Sequence, residues 1–306
     1  MYNKTFLSRK IWFSLFVTLL LINCCKPAKN NKEDTTSFIK NMDFPDSIQQ
    51  RQLKNNYYQF PSAKEMFNYI KQEETLAFNP NLTNPVSHYP RYVDTKSKIL
   101  NLGIYLADIS YLTLYKEINK ASEYLEVVHK LYKDLRIEVP FTDQFISRIK
   151  DNLNNEDSLV YISEQYSDEF YRYMYSNNKE HILATVSAGS YIEGLYIALN
   201  LVDEYKENSS VIQKIAEQKY TFENLYQNLN EFNDDSNIHL TLQYMEKILS
   251  VYNQLETKRK PVKTSKNEDN ILVIDGGDEF FMSRSQFYEL KSLINQLRKE
   301  IITKSF

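Results

Sequence analysis

Apolar residues recur at intervals of three and four through most of the chain beyond residue 44, and short polar stretches separate the periodic segments. This spacing is typical of amphipathic helices with one buried side. It predicts helices near residues 47–59, 61–69, 95–115, 117–135, 155–175, 179–205, 211–232 and 236–257, with another start near 140–142. Prolines at 80, 85 and 90 exclude a regular helix between 78 and 94. We therefore expect an all-α fold, a multi-helix bundle or an irregular helical array, with a helical body from 44 to 257.

The chain beyond the helical body has a different pattern. Residues 258–270 are basic and polar, and they are predicted to form an exposed linker. The runs that follow, Ile271–Ile274 and Glu279–Met282, are rich in β-forming side chains. Gly276-Gly277 lies between these two runs, so the sequence predicts a small C-terminal β-hairpin with its turn at the glycines.

A last amphipathic helix is predicted after the hairpin. Ser283 and Gln286 have the spacing of a capping box, and the apolar period that follows them ends near residue 303. A two-stranded hairpin is only marginally stable alone, so we expect residues 271–306 to pack on the helical body.

Two of the predicted helices are apolar on more than one face, which indicates that each is buried on several sides. In the first, residues 99–112, a carboxylate lies within a stripe of polar and aromatic side chains at helical spacing. The stripe consists of Asn101, Tyr105, Asp108, Tyr111 and Tyr115. Asp108 is therefore expected to be shielded from bulk water.

The second apolar helix, residues 182–199, contains two glycines, Gly189 and Gly194. Each destabilises a helix by about 1 kcal/mol relative to Ala, so a close contact should compensate. Small side chains at helical spacing, Ser187, Ser190, Gly194 and Ala198, would let another helix approach. Glu193 stands beside this seam and must find a partner or take up a proton, because a lone buried carboxylate is costly.

Asp108 and Glu193 allow two interpretations. In the first, each is an independent core carboxylate that is satisfied by tyrosine hydroxyls, amides or a helix end. In the second, the two apolar helices cross and both carboxyls share a polar pocket with Asn101, Tyr105 and Ser190. Such a pocket would hold a cation, a sugar or an amine, or would perform acid–base chemistry if one pKa rises.

The first 25 residues have the pattern of a secretory signal. A basic start is followed by an apolar run, Ile11–Ile22, that is too short to span a membrane. The sequence Leu21-Ile22-Asn23-Cys24 resembles a bacterial lipobox, in which the peptidase cuts before a cysteine whose thiol has been diacylated. We predict a signal peptide over 1–23 and lipid attachment at Cys24, and cleavage before Cys25 remains the alternative.

Composition and charge narrow the possible functions. Residues 24–43 are polar with little to bury and are predicted to be a flexible tether. Cleavage before Cys24 changes the formal net charge from −3 to −6. Such an acidic body has little attraction for nucleic acid or anionic lipid, so the lipid chain must provide the anchor. The only cysteines are Cys24 and Cys25, and the four histidines lack metal-ligand spacing, so no metal and no cofactor are expected.

Four stretches of the body carry a resemblance: Phe78–Pro85, Asn101–Tyr111, Asn155–Leu159 and Ala188–Tyr196. They resemble a group of uncharacterised helical lipoproteins of Bacteroidota. The resemblance implies a protein that is anchored by lipid to the outer membrane, and it brings no activity, cofactor or catalytic residue. In that phylum an acidic run just after the lipidated cysteine can direct a protein to the cell surface. Lys-Pro-Ala-Lys follows Cys25 here instead, so the resemblance implies a body that faces the periplasm.

Together these features predict a membrane-anchored cell-envelope lipoprotein that binds or scaffolds. Its expected partners are the lipid bilayer, through the N-terminal acyl anchor, and an envelope protein or a small ligand, with no nucleic acid. The alternative is a hydrolase or lyase of an envelope polymer that uses Asp108 and Glu193 as acid and base. Glycoside chemistry of this kind requires carboxyl groups about 5–10 Å apart around an open cleft.

Overall fold

In a computed structural model, seven α-helices and one two-stranded antiparallel sheet make up most of the chain that is described, namely residues 67, 76–138, 147–149, 151–152, 155–207, 209–266 and 272–304. The helices are α1 (Thr95–Leu114), α2 (Ile118–Asp134), α3 (Glu156–Ser176), α4 (Glu180–Leu201), α5 (Ser210–Asn230), α6 (His239–Tyr252) and α7 (Arg284–Thr303). The strands are β1 (Glu256–Lys266) and β2 (Leu272–Phe281). All described residues belong to one unit of the chain, Ile48–Phe306. The prediction of an all-α fold with a small C-terminal hairpin is confirmed.

Several sequence predictions lie outside the described residues. The signal peptide, Cys24, the tether and the helix near 47–59 are among them, as is the start near 140–142. Of the helix near 61–69 only Phe67 is described, and it is helical and buried.

Side-chain caps determine where four helices begin. The side chains of Asp94, Asn155, Ser209 and Ser283 each accept a hydrogen bond from a backbone N–H in the first turn of α1, α3, α5 and α7 respectively. At α7 the bond is reciprocal, because the Gln286 side chain accepts from the backbone N–H of Ser283. The predicted capping box is therefore confirmed, and it satisfies amide groups that helix geometry leaves without partners.

Replacing Ser283 with Ala should lower the free energy of unfolding by about 1 kcal/mol, the usual effect of removing an N-cap. Thermal and urea unfolding followed by circular dichroism would measure it. Ser250, an exposed serine within α6, provides the matched control. Its replacement by Ala should be neutral or slightly stabilising, because Ala favours helix interiors. Equal losses at the two positions would contradict the capping role.

The two most apolar helices, α1 and α4, lie at the centre of the body. Both contribute buried side chains to two hydrophobic clusters. One cluster joins them to α5, α6 and α7, and the other joins them to α2 and α3. Burial on several sides, predicted from their sequences, is confirmed. The length and composition of α4 would also allow it to cross a membrane, but most of it is buried inside the described helices, as in the core helix of a soluble protein.

Glycines bring the backbones of α1 and α4 into direct contact. A Cβ atom at Gly103 would collide with the carbonyl oxygen of Val186 and would lie 2.7 Å from the amide nitrogen of Ser190. A Cβ atom at Gly189 would collide with the carbonyl oxygen of Leu100. The close contact expected to compensate for Gly189 is therefore present, with Ser190 as the residue of the predicted seam that takes part, and Gly103 provides the matching gap on α1.

The proline-rich segment, residues 78–92, lies against the polar stripe of α1. It forms two short 3-10 helices, Pro80–Leu82 and Val86–Arg91, instead of a regular helix, as its prolines predicted. The Tyr105 hydroxyl donates to the carbonyl oxygen of Pro85 at 3.0 Å, and the Tyr111 hydroxyl accepts from the backbone N–H of Asn79 at 2.9 Å. The stripe thus fastens this segment over the middle of α1.

The C-terminal hairpin differs in position from the prediction. The predicted linker 258–270 is wrong, because β1 covers much of it and pairs with β2 in antiparallel register. The predicted turn at Gly276-Gly277 is also wrong, because both glycines lie within β2. They have φ values of 96° and 106° and lie opposite an irregularity of register between Lys260 and Lys263. The predicted helix near 236–257 correspondingly ends earlier, at Tyr252.

Physical reasons account for both errors. A bulge and a tight turn both favour glycine at positive φ, so the Gly-Gly pair alone does not distinguish them. The β1 strand has no apolar alternation: it is rich in lysine, and residues 256–261 and 264 are exposed. Its partner is recognised instead by backbone pairing and by cross-strand ion pairs such as Lys260–Glu279, at 2.9 Å.

Candidate functional site

The crossing of α1 and α4 places Asp108 and Glu193 together in the interior of the body. Both residues are 0% exposed. Repulsion from the Glu193 carboxyl and a hydrogen-bonding interaction with it both act to raise the pKa of Asp108, so the two groups are neighbours. The two acids therefore meet, as the interpretation of a shared polar region requires, and no solvent reaches either of them.

Glu193 is paired with an arginine from the last helix. Arg298 Nε donates to Glu193 Oε2 at 2.9 Å, and its Nη2 donates to Oε1 at 2.9 Å, so the contact is bidentate. The side chains of the pair are 9% and 0% exposed for Arg298 and Glu193 respectively. Burial alone would lower the pKa of Arg298, but the adjoining Glu193 carboxylate outweighs it and raises that pKa. Arg298 is thus a permanent cation in the core.

Two further contacts hold the Arg298 guanidinium group. Its Nη2 donates to the carbonyl oxygen of Leu82, on the proline-rich segment, at 3.3 Å. Its central carbon lies 4.1 Å from the centroid of the Tyr196 ring, which is cation–π geometry. The ion pair therefore links α4 and α7 to the segment that covers α1.

Asp108 is in a different electrostatic state from Glu193. Its Oδ2 accepts from the backbone N–H of Asn84 at 3.0 Å, whereas its Oδ1 meets no donor among the described residues. Burial, followed by repulsion from Glu193, raises the pKa of Asp108 well above its ordinary value, although Arg298 and the Asn84 amide oppose this rise. A hydrogen bond between two carboxyl groups needs a proton on one of them. Because both Glu193 oxygens already accept from Arg298, that proton belongs on Asp108.

Amides and a tyrosine complete the wall around Asp108. Asn84 Nδ2 donates to the Tyr92 hydroxyl at 2.9 Å and approaches Asn101 Oδ1 at 3.4 Å. Asn101 Nδ2 donates to the carbonyl oxygen of Ile301 at 3.0 Å, which ties α1 to the end of α7. At the outer side, His88 Nδ1 lies 2.9 Å from Asn84 Oδ1. The polar groups thus form a continuous network from the partly exposed His88 to the buried acids.

The structure brings together four of the five residues proposed for a polar pocket. Asn101, Asp108 and Glu193 are fully buried in the network, and Tyr105 reaches its edge through the Pro85 carbonyl. Ser190 is separate from them, because it is half-buried and lies against Gly103 through its backbone. Because Asn101, Asp108 and Glu193 have no exposed surface, the arrangement is a closed cluster.

Sequence reasoning missed the cation of the cluster. Arg298 follows Leu297 in an amphipathic helix, where an arginine usually marks the solvated face. Its position four residues after Ile294 and three before Ile301 nevertheless places it on the apolar stripe of α7. Arg298 could have been identified from that spacing, together with the presence of two buried acids for which no cation had been found. Asn84 contacts Asp108 through its backbone amide, which no side-chain pattern identifies.

The described residues contain no group of three or more His, Cys, Asp and Glu side chains that would hold a metal ion. Comparison of the chain with protein-family models, with curated proteins and with solved structures found no match.

Proposed function

We propose that this protein is a lipid-anchored protein of the cell envelope, related to the helical lipoproteins of Bacteroidota that it resembles, and that its helical body binds or scaffolds another envelope component. The sequence supports the anchor, because both cysteines follow directly on the apolar run of residues 11–22. We place the anchor in the outer membrane with the body facing the periplasm.

One observation favours binding over catalysis. Asp108 and Glu193, the acids best placed for acid–base chemistry, are fully buried and engaged with each other and with Arg298. A hydrolase or lyase of this kind needs carboxyl groups that a substrate can reach, around an open cleft and at the separations of glycoside chemistry. These acids instead join α1, α4 and α7 to the proline-rich segment, which supports a rigid body for recognition.

Lipid attachment can be tested by metabolic labelling with a clickable palmitate analogue. The wild type and Cys25→Ser should be labelled and cleaved, whereas Cys24→Ser should lose the label and keep its signal peptide. Intact mass of the purified protein would check cleavage. Loss of label only in Cys25→Ser would move the cut to the alternative site, and a wild-type protein without label would contradict the anchor.

Binding can be tested by photo-crosslinking in intact cells. Tyr161, Tyr220 and Tyr288 are exposed by 57%, 48% and 41% and suit replacement by a photoreactive amino acid. The anchored protein should give a discrete cross-linked species from at least one position, identified by mass spectrometry. The same position in the Cys24→Ser background should lose that species, because the body would no longer be held near its partner. If none of the positions cross-links above background, the binding role is contradicted.

A further inference from the structure

We propose that the Asp108–Glu193 pair is a proton-binding site, and that the bound proton keeps the proline-rich segment closed over the core. The proposal does not depend on the anchor or on a binding partner. It concerns how the body itself responds to pH.

The contacts of the pair require a proton. The Asp108 carboxyl is 0% exposed, it accepts one hydrogen bond, from the Asn84 amide, and its Oδ1 meets no donor among the described residues. An ionised carboxylate beside the Glu193 carboxyl would lack compensation there, and a proton on Asp108 removes the repulsion between the two acids. Both Glu193 oxygens accept from Arg298, so the guanidinium group is the counter-ion of Glu193. With the proton on Asp108, the cluster of two acids and one cation is neutral, as a site without solvent needs to be.

Among the described residues, Arg298 is the cation that contacts the pair. The titratable and charged side chains that face the cluster are Tyr105 on α1, Tyr124 on α2, Tyr196 on α4, Arg298 on α7, and His88, Arg91 and Tyr92 on the proline-rich segment. Burial raises the pKa of the Tyr124 hydroxyl to about 12, so that hydroxyl stays neutral through the physiological range. For His88 burial has the opposite sign: it lowers the pKa of the ring, and the positive charges of Arg91 and Arg298 lower it further. Both effects favour the neutral ring.

Loss of the proton would leave one net negative charge in a site with no exposed surface, and water would have to enter to solvate it. The backbones of α1 and α4 are in contact at Gly103 and Gly189, and other helices pack around both. Moving α1 away from α4 to separate the acids would therefore disrupt the core. The weakest cover is the proline-rich segment. It consists of 3-10 helices of three and six residues, and it meets the cluster through the Asn84 amide and the Leu82 carbonyl. Deprotonation therefore opens this segment.

The sign of the effect follows from the direction of the pKa shift. In the folded chain burial raises the pKa of Asp108, whereas in an unfolded or opened chain the carboxyl titrates at its ordinary value. The stabilisation by the proton is complete below the ordinary carboxyl pKa and is lost as pH rises through the raised value. One proton is released on opening, so the closed state should weaken tenfold for each pH unit in this range.

Hydrogen exchange of the full-length protein in detergent tests this directly. Protection factors, which correct for the intrinsic pH dependence of exchange, would be measured for the amides of Leu82, Asn84 and Tyr92 between about pH 5 and pH 10. In the wild type we expect a tenfold fall per pH unit between the ordinary carboxyl pKa and the raised value, and a plateau above the raised value. Asp108→Asn should remove the pH dependence, because an amide can accept from the Asn84 N–H and donate to Glu193 without titrating.

Asp134→Asn is the matched control. Asp134 also contacts the proline-rich segment, through the Tyr89 hydroxyl at 3.2 Å, but it is partly exposed and pairs with Lys98 at 2.9 Å. This variant should keep the wild-type pH profile. Identical profiles for wild type and Asp108→Asn, or a flat wild-type profile, would overturn the proposal. Should Asp108→Asn fail to fold, the carboxyl ¹³C shift of wild-type Asp108 decides the matter, and an ionised carboxylate at neutral pH would overturn it.

Discussion

Replacing Asp108 with Asn and Glu193 with Gln in the same chain should lower the free energy of unfolding by about 3–5 kcal/mol. Arg298 would then be buried with no carboxylate, because both of its possible counter-ions would be gone. The remaining contacts of its guanidinium group, to the Leu82 carbonyl and the Tyr196 ring, do not carry a compensating charge. Urea unfolding of the full-length protein in detergent, at neutral pH, would measure the loss.

The single variants should differ from each other. Asp108→Asn should change the free energy of unfolding by less than about 1 kcal/mol, because the amide reproduces both hydrogen bonds of a protonated carboxyl. Glu193→Gln should fall between that value and the double variant, because Asp108 can release its proton and pair with Arg298. The two substitutions should therefore be strongly non-additive, as expected for residues in one network.

A surface ion pair provides the control for these changes. Glu217 pairs with Lys214 at 2.8 Å, and the two side chains are 38% and 33% exposed. Glu217→Gln should cost less than about 1 kcal/mol, because water solvates the remaining cation. A double variant of the buried acids that is no less stable than Asp108→Asn alone would show that Arg298 does not depend on them.

Replacing Gly103 or Gly189 with Ala should each destabilise the protein by about 3 kcal/mol, the upper part of the range for overpacking. The added methyl group would meet backbone carbonyl oxygens, of Val186 and of Leu100 respectively, and backbone in a packed helix cannot rotate aside as a side chain can. Thermal unfolding by circular dichroism would measure both losses. The double variant should lose less than the sum, because either methyl group already forces the helices apart.

Thr113→Ala is the matched control for the glycine variants, since it lies on α1 with its side chain exposed. It should be within about 0.5 kcal/mol of the wild type, as surface substitutions usually are. If Gly103→Ala behaves like Thr113→Ala, the two helices are not in backbone contact at this crossing.

The periodic helices of the body could be predicted because the spacing of apolar residues within each helix indicates which side is buried. The predicted range 155–175 and the observed α3, Glu156–Ser176, differ by one residue at each end, since Asn155 marks the start chemically. The β1 strand could not be found this way. It lies on the surface, and its position depends on pairing with a distant strand and not on any apolar alternation of its own.

The candidate site was also predictable only in part: its acids could be identified from the sequence, and the groups that complete the cluster could not. A carboxylate in an apolar helix signals burial, so Asp108 and Glu193 could be identified separately, and the glycines of α4 indicated that another helix approaches closely. Which groups complete the cluster depends on three-dimensional packing. Arg298 comes from the far end of the chain and Asn84 contributes a backbone amide, so neither has a local pattern that links it to the acids.

Arg298 lies on the last helix, 105 positions after Glu193. During synthesis both acids therefore emerge long before the only cation that contacts them in the described structure. Folding of the centre must wait for the end of translation, and contacts between such distant positions form slowly. A product that terminates early, before Arg298, would contain every central helix and still lack its counter-charge, so it should be selectively degraded.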